Sequence, residues 1–139
     1  MNLKRLILLI TLPALFLLAS CSGNQENKLI GTWKVTRFDA LPDEYPYVEW
    51  EFTADNDIIK RPVKESGYDD FYITTGRWGL TKRNTLNISK FDVGFNGDWD
   101  IVTLTDEVLR IVLKVFATDP ETGKEAPAGQ VLVEFTRLR

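Results

Sequence analysis

The chain has 139 residues, with 17 basic and 20 acidic side chains, no histidine and a single cysteine. That balance does not favour nucleic acid, which attracts clustered Lys and Arg. The missing histidine removes the commonest general base and the commonest metal ligand together. One cysteine makes no internal disulfide, so an apolar core must supply the stability.

Lys4 and Arg5 open the chain, and the apolar run from Leu6 to Leu18 follows, interrupted by Thr11 and Pro13. This is short for a membrane-spanning helix, which needs about 20 apolar residues. The run ends on Leu18-Ala19-Ser20-Cys21. An uncleaved signal anchor is the alternative reading, but small residues directly before a cysteine argue for cleavage. The four residues resemble the lipobox of bacterial lipoprotein precursors. That resemblance implies removal of residues 1–20 as a signal peptide, and lipid attachment at Cys21 through a thioether-linked diacylglycerol and an acylated amine. Two or three acyl chains hold a protein to a membrane essentially permanently, at about 0.8 kcal/mol per buried methylene. Residues 21–28 then form a lipidated tether, polar and low in bulk, with little reason to fold. Ser22 stands where an aspartate is absent, and by resemblance to Gram-negative sorting signals this points to the outer membrane. Whether the domain is periplasmic or surface-facing stays open.

Removing 20 of 139 residues leaves 119, enough for one domain and not for two. Losing Lys4 and Arg5 leaves 15 basic against 20 acidic groups, which suits a domain that stays off an anionic lipid surface. From Leu29 onward, short runs alternate between apolar and polar residues with turn residues between them, the pattern of strands. The first run is Leu29 to Phe38, followed by a loop from Ala40 to Pro46. Tyr47 to Thr53 alternates most clearly, with Val48, Trp50 and Phe52 opposite Glu49 and Glu51. After the turn Asp55-Asn56-Asp57 comes a shorter strand, Ile58 to Val63, and then a loop from Glu65 to Asp70. Phe71 to Leu80 is a strand, with Gly76 suggesting a bulge. Thr85 to Lys90 and Asp98 to Thr103 are strands separated by a turn, Asp92 to Gly97. Val108 to Ala117 is apolar on both faces and reads as well covered. Asp119 to Gly129, with two prolines and two glycines, reads as a long polar loop. Gln130 to Leu138 closes the chain, with Val131, Val133, Phe135 and Arg137 on one face.

Eight strands with mostly short connections predict an all-β, eight-stranded antiparallel meander that closes into a barrel. Closure removes the exposed sheet edges that invite aggregation. A two-sheet β-sandwich is the competing architecture.

Several features in order resemble the lipocalins and related calycins: Gly31-Thr32-Trp33 opening the first strand, tryptophans at 50, 78 and 99, the phrase Trp99-Asp100-Ile101-Val102-Thr103-Leu104, and the ending Phe135-Thr136-Arg137. The resemblance covers nearly all of residues 29–139. It implies a lipocalin-like barrel plugged at one end by Trp33 under the guanidinium of Arg137, or of Arg139. It also implies an open end that takes a small hydrophobic or amphipathic ligand. Trp50, Phe52, Trp78 and Trp99 are the candidate ligand-binding residues, although large aromatics also serve as plain core. Two lipocalin features are missing: a cysteine pair, and a clear counterpart of the long helix before the last strand.

Other pairings carry less. Glu49 and Glu51 share a strand face, which suggests acid–base work but fits a solvated face better. Asp69-Asp70 has no identifiable base or nucleophile beside it. Asp55-Asn56-Asp57 resembles the start of a calcium loop, yet Lys60 and Ser66 stand where glycine and glutamate are required. No cofactor or metal motif is present. The expected protein is therefore a non-catalytic binding module anchored to a membrane through Cys21. The alternative is an envelope accessory protein that contacts a protein partner through the loops Ala40–Pro46, Glu65–Asp70 and Asp119–Gly129.

Overall fold

A computed structural model describes residues 23–39, 48–63 and 73–138. The lipobox with Cys21, the loops at 40–46 and 65–70, and Arg139 lie outside the described residues. Eight strands run in chain order: β1 Gly31–Phe38, β2 Val48–Phe52, β3 Asp57–Pro62, β4 Thr74–Lys82, β5 Thr85–Ser89, β6 Gly97–Leu104, β7 Val108–Thr118 and β8 Glu125–Arg137. Each pairs antiparallel with the next, and β8 returns to β1, so the sheet closes into a barrel. The sandwich alternative is thereby overturned. Short connections make the meander natural, because antiparallel neighbours need only a turn between them.

Alternation along each strand selects the interior. Directly opposed residues share a face, so Trp33, Trp50 and Lys60 form one inward row across β1, β2 and β3, and Phe52 lies beside Ile58 and Gly76 in another. Trp33, Trp50, Phe52, Ile58, Leu86, Trp99, Leu109, Ile111, Val133 and Phe135 are fully excluded from solvent. Four irregularities break the register, at Val35/Arg37, Leu80/Lys82, Ile101/Thr103 and Val115/Phe116. The first turns Phe38 back onto the inward face beside Val133, which strict alternation from Val35 would not do.

Several sequence expectations need correction. Residues 23–29 are helical, where the sequence predicts an unstructured tether over 21–28 and a strand from Leu29. They dock on the β4–β5 hairpin through a Gln25–Asn84 side-chain hydrogen bond. Asn84 itself occupies the left-handed region (φ 63°), which asparagine tolerates in a two-residue turn. Gly76 is not a bulge, since β3 and β4 stay in register through it. It marks a close approach instead: a Cβ there would lie 2.8 Å from the Phe91 Cβ and from the Ser89 carbonyl oxygen. The second half of the segment Asp119–Gly129 is strand. β8 begins at Glu125, and only residues 119–124 turn the chain. Asp119 organises that turn by accepting from the Glu121 amide at 2.8 Å. The outer half of β7 is uncovered, with Phe116 53% exposed and Val115 also open to solvent. It pairs with β8 as a hairpin that extends past the neighbouring strands, so it has a partner for its backbone but no core beneath its side chains.

Candidate functional site

The barrel has two unlike ends. At one, the connections β2–β3, β4–β5 and β6–β7 are tight turns, and the helical segment lies across the opening. The Trp33 indole donates to the Leu29 carbonyl at 2.8 Å. The Arg137 guanidinium lies 4.1 Å from the centroid of the Trp33 ring. Arg137 also donates to three carbonyls: Lys28, Ile30 at 3.0 Å and Asp106 at 2.7 Å. The cation thus satisfies acceptors at the end of the helical segment and in the β6–β7 turn while it stacks on the ring. One arginine ties three chain segments over one tryptophan.

The Asp55-Asn56-Asp57 turn lies at this same end. The Thr53 hydroxyl accepts from the Asp57 amide at 3.0 Å, and the Asp57 carboxylate is engaged by Arg77. The segment is a turn held by its own side chains. Among the described residues no group of three or more acidic or thiol ligands is arranged to hold a metal ion.

At the other end, the β5–β6 connection of residues 90–96 folds inward. The sequence predicts a simple turn over Asp92 to Gly97; the structure drives two side chains of this connection, Phe91 and Phe95, into the barrel. Both rings are buried. Phe91 and Phe95 meet Trp50 edge-on, with centroids 5.3 and 5.5 Å away. Phe135 meets the same indole at 5.1 Å, and Phe95 stacks on Trp99 at 6.4 Å. Edge-on packing suits aromatic quadrupoles and adds about 0.5–1.5 kcal/mol per pair beyond burial. Gly76 makes room for this arrangement, because any side chain there would strike Phe91.

The four candidate ligand residues separate into two groups. Phe52 and Trp78 pair edge-on at 5.6 Å, and the Trp78 indole donates to the Thr53 carbonyl at 3.1 Å, which ties that ring to the closed-end β2–β3 turn. Trp50 and Trp99 line the interior beneath the β5–β6 loop. The Trp99 indole donates to the Phe95 carbonyl at 2.9 Å. The Trp50 indole N–H is fully buried and has no hydrogen-bond partner among the described residues. Such orphaned donors are rare in folded proteins.

Lys60 is the residue that sequence reading missed. It points inward beside Trp50, its side chain is 13% exposed, and its amine pairs with Asp92 of the β5–β6 loop. The ammonium lies 5.4 Å from the Phe95 centroid and 5.9 Å from that of Phe91. Hydrogen bonding from Lys60 holds the Asp92 carboxyl below its ordinary range, against a smaller opposing effect of burial. Alternation offered a signal: Lys60 is two residues from Ile58 and therefore shares its face.

Glu49 also departs from expectation. It is only 2% exposed rather than solvated, and it accepts from the Arg61 Nε at 2.6 Å. Arg61 also binds Glu51. Burial works against the Arg61 charge, but the two carboxylates more than offset it and its pKa is raised. The trio is an ion-pair network on the outer wall, where both carboxylates are occupied by one guanidinium.

A family model described as lipocalin-like domain matches residues 29–111, which run from the end of the helical segment through β1 to the middle of β7. The chain belongs to the lipocalin-like domain family. No curated protein matches it significantly. The part beyond the match, the rest of β7 and all of β8, completes the barrel and supplies Arg137 to the closed end.

Proposed function

We propose that this protein is a non-catalytic, lipid-anchored lipoprotein of the outer membrane whose barrel binds a small hydrophobic or amphipathic ligand. One observation carries the reading. The aromatic interior is closed at one end by Trp33 and Arg137 and, among the described residues, covered at the other by the β5–β6 loop, whose two phenylalanines lie where a guest would lie. Binding sites for small molecules are mostly apolar and concave with few placed polar groups, and this interior has that chemistry. A lipocalin-like barrel suits such ligands in general. Titrating the purified protein with fatty acids and hydrophobic dyes should quench or shift its tryptophan fluorescence. No response to any of them would refute ligand binding. The anchor rests on Leu18-Ala19-Ser20-Cys21. Cys21→Ala should leave the signal peptide attached and the lipid absent by intact-mass measurement, and a mature lipid-free mass from the unaltered chain would refute it.

One observation favours the second reading, an accessory protein that docks a partner. Val93, 92% exposed, and the open Ile73, Val115 and Phe116 all lie toward the end away from the Arg137 plug. Val115→Glu with Phe116→Glu should leave ligand titrations unchanged. If those changes abolish the cellular role while binding persists, the docking reading replaces ligand carriage.

A further inference from the structure

We propose that the protein rests on its anchoring membrane through the tip of the β4–β5 hairpin, where Lys82 and Arg83 meet anionic lipid headgroups, and holds the mouth of the barrel away from that membrane. This rests on the Cys21 anchor proposed above and adds the contact surface and the orientation.

The chain between lipid and barrel is short. Cys21 precedes Gly23, the first described residue, by two positions. Two extended residues span about 7 Å at most. From Gly23 onward the chain is helical and tied down. The Gln25 side chain is bonded twice to Asn84 in the β4–β5 turn: its amide nitrogen donates to the Asn84 side-chain oxygen, and its oxygen accepts from the Asn84 backbone amide at 3.4 Å. Leu29, at the other end of the segment, is fully buried and accepts from the Trp33 indole, and Arg137 donates to the Lys28 carbonyl. A helix rises about 1.5 Å per residue, so Cys21 lies within about 10 Å of Gln25. The barrel is much taller than that reach. β7 alone has 11 residues, which at about 3.4 Å each and the usual barrel tilt stand about 28 Å along the axis. The lipid therefore enters the membrane beside the closed end.

Charge selects which point of the closed end meets the surface. Lys82 and Arg83 directly precede Asn84, are exposed, and join no ion pair among the described residues. The neighbouring closed-end turns are acidic, with Asp55 between β2 and β3 and Asp106 and Glu107 between β6 and β7, all exposed. An anionic lipid surface attracts the first pair and repels the others. At the far tip, between β7 and β8, exposed Glu121 and Glu125 outnumber Lys124. Two basic side chains do not hold a free, net acidic domain to a membrane, but they orient one that lipid already keeps at the surface. With the hairpin tip down, the β5–β6 loop and the exposed Val115 and Phe116 face away from the anchoring leaflet. The mouth then opens to the aqueous space and not to the bilayer that holds the anchor.

Lysine acetylation read by mass spectrometry tests this, because lysines stand at both ends. The processed chain, residues 21–139, holds the whole closed barrel. It is coupled through Cys21, its only thiol, to a maleimide-bearing lipid in phosphatidylethanolamine vesicles containing phosphatidylglycerol. The reference is the same chain capped with N-ethylmaleimide and mixed with the same vesicles. Lys82 should be acetylated at least threefold more slowly in the coupled chain, with Lys90 and Lys124 unchanged. That protection should fall at least twofold on phosphatidylcholine vesicles and in the Arg83→Glu protein, each against its own capped reference. Equal protection of Lys82 and Lys124, or protection of Lys90 or Lys124 alone, would overturn the orientation. Protection of Lys82 that persists undiminished on phosphatidylcholine and in Arg83→Glu would overturn the headgroup contact. A lipid-free intact mass from the native chain would overturn the anchor and the orientation together, whereas the coupled chain reads the orientation by itself.

Discussion

Replacing Arg137 by alanine removes one guanidinium that stacks on Trp33 and donates to the carbonyls of Lys28, Ile30 and Asp106. The stacking contributes about 1 kcal/mol for a partly desolvated pair. Charge-assisted hydrogen bonds contribute about 1.5–3 kcal/mol each when fully buried. Arg137 is only half-buried, and water can reach the released carbonyls, so the three bonds together contribute about 2 kcal/mol. The sum is about 3 kcal/mol, which for a domain of this size lowers Tm by about 10 °C. Differential scanning calorimetry and urea unfolding measure it directly. Hydrogen exchange adds a local readout: the Ile30 amide, bonded to the Glu26 carbonyl at 3.1 Å, should exchange faster because the helical segment loses its tie. Arg137→Lys should recover less than half of the loss, since an ammonium keeps the charge but neither stacks flat nor reaches three carbonyls. Ligand affinity should stay unchanged, because the plug is at the opposite end from the β5–β6 loop. A Tm shift below about 3 °C, or binding abolished with stability intact, would show that Arg137 does not act as the plug.

Three further tests address the interior. Gly76→Ala places a methyl group 2.8 Å from the Phe91 Cβ and should destabilise by about 1–3 kcal/mol while shifting tryptophan emission to the red; an unchanged spectrum would mean that Phe91 does not pack there. Trp99→Phe deletes a donor that the Phe95 carbonyl uses, whereas Trp50→Phe deletes an orphan whose burial already costs about 1–3 kcal/mol. Chemical denaturation should therefore rank Trp50→Phe as the milder change by about 1 kcal/mol or more, and the reverse order would contradict the orphaned N–H. The Asp92 carboxyl is held below its ordinary value of 3.8, so its contribution is complete above that value and is lost as pH falls through the lower folded value. The stability gap between the native chain and Asp92→Asn should be flat from pH 7 to 5 and shrink between pH 4 and 2; a gap constant to pH 2 would refute the Lys60–Asp92 pairing.

Much of the barrel is legible in the sequence because period-2 alternation is a local property. Val48, Trp50 and Phe52 share one face in any strand that contains them, and the β-sheet then needs only short turns to bring each strand against the next. Gly31-Thr32-Trp33 and Arg137 were paired by resemblance, and the structure brings that ring and that guanidinium within 4.1 Å. Loops carry no such period. Nothing in Phe91-Asp92-Val93-Gly94-Phe95 states that its rings turn inward, since that depends on the cleft left by Gly76 on another strand and on how wide the closed sheet is. Glu49 was read as solvated from alternation alone, but its burial and its pairing with Arg61 depend on what lies over the outer wall.

The division follows from range. Alternation, turn residues and chain length determined an eight-stranded all-β domain and its inward-facing aromatics, because each is set by neighbours a few residues apart. Closure, the choice of which end is sealed, and the meeting of Lys60 and Asp92 were decided only by the tertiary structure. The Lys60–Asp92 contact joins residues 32 positions apart, and a strand pattern does not encode what faces it across a barrel.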